Sequence, residues 1–303
     1  MLVFNESNAR LNEVGKIGRQ TSDMVLSAAQ LVKKGQIYPL GTERFDGMPN
    51  FPSNIFKVYS TISPRGIRNN PDPAKRFLWD KDVNRVNLGF NADVVISSSH
   101  CGTHIDTLAH ATVGEDDHWY NGFTYAKDSC DSGIMKADAS SFLPLFTRGV
   151  LLDVAAFKGA DQLTQGYGIT AEDLIKTAEW ENIKIMDGDT VLIRTGFQDN
   201  YPVVNNKTFE RAGIDESSAK WLAGKNVYAV GADTESLEQI PCQNSQNPHI
   251  VHTILLIESG IHIIESILLK QLSKDGVYEF LFVALPLTNR GASGSLINPI
   301  AVV

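Results

Sequence analysis

Short runs of β-branched residues recur along the whole 303-residue chain, and most of them are bounded by Gly, Asp or Pro. Runs of this length and composition are typical of strands. Helical segments lie between the runs, and this mixture predicts an α/β fold. Six strands are predicted: Ile55–Ile62, Asp93–Ser99, Val150–Val154, Thr190–Thr195, Val227–Val230 and Glu279–Leu285.

Helix signals occupy several of the intervening segments. Apolar residues at helical spacing predict a helix that Ser22 caps and that ends near Gly35. Thr170 and Asp173 form a capping-box pattern before a further helix. The segment Ile261–Leu272 stays open between a helix and a strand that leads into a helix, because its start is rich in isoleucine. The helix after this capping box is Ala171–Trp180, and Ser217–Ala223 is one more predicted helix.

The composition is that of an ordinary globular chain, with 43% hydrophobic and 20% charged residues. Such a chain can bury a sizeable core. Residues 1–20 are polar and predict an irregular N-terminal arm. Residues 21–303 contain no repeat or linker, which favours one domain. The net charge of −8, without a dense basic stripe, disfavours binding to nucleic acid.

The cellular setting follows from the cysteines and from the apolar pattern. Cys101, Cys130 and Cys242 are widely spaced and odd in number, so we expect free thiols in a reducing compartment. The N-terminus shows no signal-peptide pattern, and no apolar run is long enough to span a membrane. We therefore expect a cytoplasmic protein without a membrane partner.

Three of the seven histidines fall within one eleven-residue window, residues 100–110, with the sequence HCGTHIDTLAH. His104 and Asp106 are two residues apart, so on an extended segment both side chains point to one face. Gly102 disfavours a helix here. We therefore place His100 at the end of a strand, followed by a tight turn over residues 101–103. His100, His104 and Asp106 together predict a divalent metal site with open coordination positions, as catalytic ions need.

The chemistry expected of such an ion is hydrolysis, because the ion lowers the pKa of a bound water and polarises a carbonyl. The ligand types suit Zn²⁺, Mn²⁺ or Fe²⁺. His110 is a candidate general base or a ligand of a second ion. The alternative is a histidine that only orients a ligand.

The window resembles the HxGTHxDxPxH signature of the metal-dependent cyclase-like hydrolases, which include bacterial kynurenine formamidases and isatin hydrolases. The segments GDTVLIRTG (188–196) and GADTESLE (231–238) also resemble parts of that family, as does the pair formed by His252 and Glu265. One position departs from the signature, because Leu108 replaces its proline. A proline there would stiffen the segment before His110.

The resemblance implies a single swivelling β/β/α domain that forms a homodimer or homotetramer. It implies hydrolysis of an amide, cyclic amide or ester-like bond, including lactones, in a small and often aromatic substrate. It also implies catalytic roles for His110 and Glu265. The implied Zn²⁺ or Mn²⁺ ligands are His100, His104 and Asp106 for one ion, with His110, His252 and Glu265 helping to hold a second.

Two other functions stay open at this stage. A non-haem Fe(II) oxygenase could use His104, Asp106 and His252 as its facial triad, but this leaves His100 and His110 without a role. A metal-binding protein without catalytic activity would instead close the coordination shell of its ion.

Overall fold

The computed structural model describes residues 12–51, 53–72, 74, 82–203 and 209–303 of the chain. The strands are β1 (Ile37–Pro39), β2 (Phe56–Ile62), β3 (Ala92–Ser97), β4 (His104–Asp106), β5 (Ser129–Cys130), β6 (Gly133–Ile134), β7 (Leu145–Leu152), β8 (Gly168–Ile169), β9 (Thr190–Ile193), β10 (Gly213–Ile214), β11 (Ala229–Ala232), β12 (His262–Glu265), β13 (Glu279–Ala284), β14 (Gly294–Leu296) and β15 (Ile300–Val302).

The α-helices are short, and several are single turns. They are α1 (Ser22–Ala29), α2 (Pro64–Arg68), α3 (Tyr125–Asp128), α4 (Val154–Phe157), α5 (Ala171–Trp180), α6 (Glu216–Gly224), α7 (Ile250–His252) and α8 (Lys270–Lys274). Further helical segments are the 3₁₀ turns Gly15–Arg19, Tyr120–Gly122 and Ala139–Ser141, and the π-helix Thr253–Glu258. Among the described residues, no helix combines the length and apolarity needed to cross a bilayer.

Nine strands form one mixed sheet in the order β1-β15-β13-β7-β9-β11-β12-β4-β14. The pairs β7–β9, β9–β11 and β11–β12 are parallel, and the remaining pairs are antiparallel. All residues of β9, β11 and β12 are buried, as expected where both faces of a parallel sheet are covered. On β7, Val150 and Leu152 join one core cluster and Leu151 joins the other, so each face of the sheet has its own core.

The mixed α/β fold predicted from the sequence is confirmed. Part of each of the six predicted strands forms, as β2, β3, β7, β9, β11 and β13. The strand predicted over Val150–Val154 ends at Leu152, because the Asp153 side chain caps α4, which begins at Val154. The helix Ala171–Trp180 has its capping box, in which Thr170 and Asp173 each accept a hydrogen bond from the other's backbone N–H. The open segment Ile261–Leu272 contains a strand, β12, because its isoleucines are buried between β11 and β4.

Two details near the N-terminus differ from expectation. The irregular-arm prediction is wrong for its described part, because Gly15–Arg19 is a 3₁₀ helix with Ile17 buried against the domain. The first eleven residues of that arm lie outside the described residues. The cap of α1 is Thr21 rather than Ser22, since the Thr21 side chain accepts the hydrogen bond from the backbone of Met24. That helix already ends at Ala29.

Candidate metal centre

Strand β4 carries the centre of the histidine window between two antiparallel neighbours, β12 and β14. Its register sets His104 opposite Glu265 of β12 and Asp106 opposite Gly294 of β14. His104 and Asp106 point to the same side, as their spacing predicts, with His104 Nε2 3.5 Å from Asp106 Oδ1. Both side chains are buried.

A tight turn at residues 101–103 precedes β4, also as predicted. Gly102 has φ +64°, in the left-handed region that favours glycine, and an added Cβ would lie 2.6 Å from Thr42 Oγ1. Arg44 fastens this turn: its Nε donates to the Cys101 carbonyl at 2.9 Å, and the guanidinium also donates to the Thr103 carbonyl. The turn is therefore held by side chains from the loop before it.

The six side chains predicted as ligands come together at this end of the sheet. His100 Nδ1 lies 2.9 Å from Asp106 Oδ1, and the His100 and His110 ring centroids are 4.1 Å apart. His104 Nε2 lies 3.3 Å from Glu265 Oε2. His252 Nε2 lies 3.5 Å from Glu265 Oε1 and 3.9 Å from Asp106 Oδ2. Their role as metal ligands stays a prediction.

The grouping of these side chains differs from the division implied by the resemblance. One group with ligand atoms within 4.8 Å of each other is His100, Asp106 and His110, and another is His104, Asp106 and Glu265. The register between β4 and β12 places Glu265 opposite His104. The segment that follows β4 places His110 next to His100. Asp106 belongs to both groups, an arrangement that suits a carboxylate shared between two cations.

Several polar atoms at the centre make no hydrogen bond of good geometry within the described part of the chain, and approach one another only at ion-pair distances. They are His100 Nδ1, both carboxylate oxygens of Asp106 and Glu265 Oε1, and all four are buried. Leaving a buried carboxylate unsatisfied costs several kcal/mol unless a cation compensates it. The donor set, imidazole and carboxylate, is the one that Zn²⁺ and Mn²⁺ accept, so these residues fit a divalent cation.

Three of the histidines use one ring nitrogen outside the centre and turn the other inward. His104 Nδ1 lies 2.8 Å from the Gly102 carbonyl, and His100 Nε2 lies 2.9 Å from Ser293 Oγ. His252 Nδ1 bonds to Glu238 Oε1. The carbonyl and the carboxylate can only accept, so they fix the proton on the outward nitrogen of His104 and His252 and leave the inward nitrogen as a lone-pair donor. The Ser293 hydroxyl can either accept from His100 or donate to it.

The charges at the centre also favour a cation. Burial works against a charge on His104, but the carboxylates of Asp106 and Glu265 outweigh it and raise its pKa to about 10. Burial likewise works against a charge on Asp106, yet the surrounding imidazoles hold its pKa well below the usual range. Without a metal, a protonated imidazole thus supplies positive charge that a divalent cation can supply instead.

His110 is an exposed residue, unlike the other histidines of the metal centre, which are buried or half-buried. Loss of water around its ring, together with nearby His100 and His252, lowers its pKa to about 4 against the pull of Asp106. The ring is therefore neutral at pH 7. It lines a cavity of 370 Å³ together with Ser293, Tyr125 and further residues. Leu108, at the position of the signature proline, is fully buried.

Sequence reasoning missed three residues that support the centre. Arg44 and Ser293 lie in loops without a recognisable motif, and only the fold brings them to the turn and to His100. Glu238 ends the segment GADTESLE, which resembled the family, but that likeness assigned it no role. His249, interpreted as a loop residue, is exposed and lies 3.1 Å from Glu238 Oε1.

Comparison with solved structures finds relatives over nearly the full chain. A crystal structure of a novel cyclase has 28% identity and a TM-score of 0.83, covering 97% of each chain. Isatin hydrolase A from Labrenzia aggregata has 17% identity and a TM-score of 0.63, covering 92% of this chain and 97% of its own. A predicted metal-dependent hydrolase from Bacillus stearothermophilus has 20% identity and a TM-score of 0.55, covering 89% and 98%.

The comparison with curated proteins gives no significant match. A family model described as "Putative cyclase" matches residues 38–239, which is more than half of the chain. This match includes β4 and the whole histidine window, so the resemblance drawn from the motif is confirmed. The chain therefore belongs to this cyclase family.

Proposed function

We propose that the protein is a metal-dependent hydrolase that cleaves an amide, cyclic amide or ester-like bond, including a lactone, in a small substrate. The observation that carries the proposal is the set of unsatisfied buried atoms on His100, Asp106 and Glu265, all facing one centre. The names of structural relatives, an isatin hydrolase and a metal-dependent hydrolase, support the same chemistry. Zn²⁺ or Mn²⁺ is the proposed cofactor.

The residues that would hold one or two cations are His100, His104, Asp106, His252 and Glu265, with His110 beside them at the cavity. A bound divalent cation supplies a coordinated water of lowered pKa and polarises the carbonyl of the substrate. The protein's own contribution is to orient the imidazoles through their outward partners and to keep the two carboxylates buried.

His110 is the proposed proton carrier. Its ring is neutral at pH 7, lies at the edge of the centre and borders the 370 Å³ cavity. A neutral imidazole in this place can take a proton from the attacking water and pass it to the leaving group. Trp119, Tyr125 and Ile134 also line that cavity, which suits a flat or aromatic substrate. Glu265, between His104 and His252, helps to hold the charge of the centre.

The oxygenase alternative fits this arrangement less well. A facial triad of His104, Asp106 and His252 needs three ligands on one ion, whereas His100, His110 and Glu265 also converge on the same pocket. A metal-binding protein without activity needs no proton carrier beside a cavity. Both alternatives predict no anaerobic hydrolysis of amides or lactones.

The test is elemental analysis of the purified protein combined with a small panel of formanilides, lactams and lactones assayed without oxygen. We expect bound Zn or Mn and turnover of at least one substrate class. Asp106→Asn keeps the size of the side chain but removes its charge, so it should lose both metal and turnover. Full metal content and full activity in Asp106→Asn would end the proposal.

A further inference from the structure

Glu238 is a buried acid outside the group of side chains that face the metal centre. It lies after β11, its carboxylate is 1% exposed, and its neighbour Leu237 has a positive φ of 51°. The carboxylate contacts only a few polar groups among the described residues: the Nδ1 atoms of His252 and His249, and the backbone N–H of Val251 at 3.4 Å. A buried charge is tolerated only when such partners compensate it.

The contact between Glu238 and His252 is unlike the outward contacts of the other two anchored histidines. His104 Nδ1 contacts the Gly102 carbonyl and His100 Nε2 contacts the Ser293 hydroxyl, and both of these partners are neutral. Among these three histidines, only His252 has a carboxylate as the partner of its outward nitrogen, Nδ1. His252 ends α7, a single turn that runs directly into a π-helix.

We infer that Glu238 is a positioning residue for His252: it holds the proton on Nδ1 and thereby points the lone pair of Nε2 towards Asp106 and Glu265. The distances from His252 Nε2 to these carboxylates, 3.9 and 3.5 Å, fit this orientation. A carboxylate behind a ligating histidine also makes its other nitrogen a stronger donor. This inference rests on the proposed function, since it assumes that His252 binds a cation.

His249 provides the internal comparison. It shares the same Glu238 oxygen, but its side chain is 59% exposed, against 10% for the side chain of His252. Removing His249 leaves the contact between Glu238 and His252 in place. Removing the acid deprives His252 of its charged anchor. The two changes therefore separate a positioning effect from a general loss of packing around α7.

The experiment measures Zn²⁺ affinity and stoichiometry by chelator competition in three variants of the full chain. Glu238→Met keeps the length of the side chain without an acceptor, Glu238→Gln keeps a neutral acceptor, and His249→Gln is the matched control. We expect Glu238→Met to weaken binding of one ion by about 10 to 100-fold. Glu238→Gln should recover part of that loss, and the control should stay within about threefold of the parent.

A second readout reports on the ring itself. In Zn²⁺-loaded protein with ¹⁵N-labelled histidine, the Nδ1–H signal of His252 should be protected from exchange with water in the parent and in Glu238→Gln, and should exchange faster in Glu238→Met, which offers no acceptor. Parent-like affinity together with a parent-like His252 Nδ1–H signal in Glu238→Met would overturn the inference while leaving the proposed function intact. A parent chain that binds no metal would overturn both.

Discussion

Gly294 leaves the space that the ring of His100 occupies, because a Cβ atom on this glycine would lie 2.6 Å from His100 Cε1. The glycine sits opposite Asp106 in the β14–β4 pair. The strand β14 thus makes room for a predicted ligand that belongs to the histidine window almost two hundred residues earlier. Gly294 has no positive φ, so its requirement is for space and not for backbone freedom.

Gly294→Ala should therefore push His100 away from Asp106 and weaken metal binding by about tenfold or more, since ligand placement sets affinity. Zn²⁺ affinity by chelator competition is the measurement. Gly224→Ala is the control, because nothing lies within 4 Å of a Cβ built at Gly224. Equal affinities in the two variants would show that His100 is not a ligand or that its ring moves without cost.

His110→Ala should lower the rate of hydrolysis by about 10² to 10⁴-fold while the protein keeps at least one bound ion. The reason is that His110 is the neutral, partly exposed imidazole at the cavity, whereas the other ligands remain. Turnover and metal content are measured on the same sample. His118→Ala serves as the control, since His118 pairs with Asp116 at the surface. A parent-like rate in His110→Ala would remove its role as proton carrier.

The pH dependence of stability should show the effect of Glu181. Burial raises the pKa of this carboxyl to about 8, and the nearby Asp153 carboxylate adds to that, although the Asp153 N–H donates to Glu181 Oε1 at 2.7 Å. The folded state therefore holds a proton that the unfolded state releases near its ordinary pKa of 4.5. This contribution to stability is complete below pH 4.5 and is lost as the pH rises through about 8.

Glu181→Gln keeps the acceptor for Asp153 but cannot ionise, so it should be more stable than the parent at pH 9 by about 1–3 kcal/mol. The difference should shrink towards pH 5. Urea unfolding at several pH values measures it. Glu179→Gln, an exposed neighbour on α5, should change the free energy of unfolding by less than about 0.5 kcal/mol at every pH. A pH-independent difference for Glu181→Gln would contradict the assignment.

The expected homodimer or homotetramer can be tested on the pair β2–β3. Val58 and Val95 face each other across this two-stranded sheet and are 54% and 53% exposed, and Tyr59 and Val94 on its other face are also about half exposed. An isolated pair of strands with apolar residues on both faces gains stability when a second surface covers it. Val95→Lys should therefore reduce the mass measured by light scattering, whereas Ser245→Lys, at an exposed polar position outside this pair of strands, should not. An unchanged mass in Val95→Lys would exclude this face as the interface.

The sequence by itself determined the local parts of the site. The two-residue spacing of His104 and Asp106 puts them on one face of a strand, and Gly102 makes the turn before it, because these features depend only on neighbouring residues. The alternation of β-branched runs and helices likewise determined the α/β class. The wider resemblance to the family then predicted roles for His252 and Glu265. The local pattern alone would have been interpreted as an ordinary core histidine and a surface acid.

The tertiary structure decided which side chains face each other. The β4–β12 register pairs Glu265 with His104, and the β4–β14 register sets Gly294 beside His100. The supporting contacts from Arg44, Ser293 and Glu238 also join residues from distant parts of the chain. Strand order and register depend on packing the whole sheet against both cores. No short stretch of sequence contains that information, because a one-residue shift of register would turn each of these side chains to the opposite face.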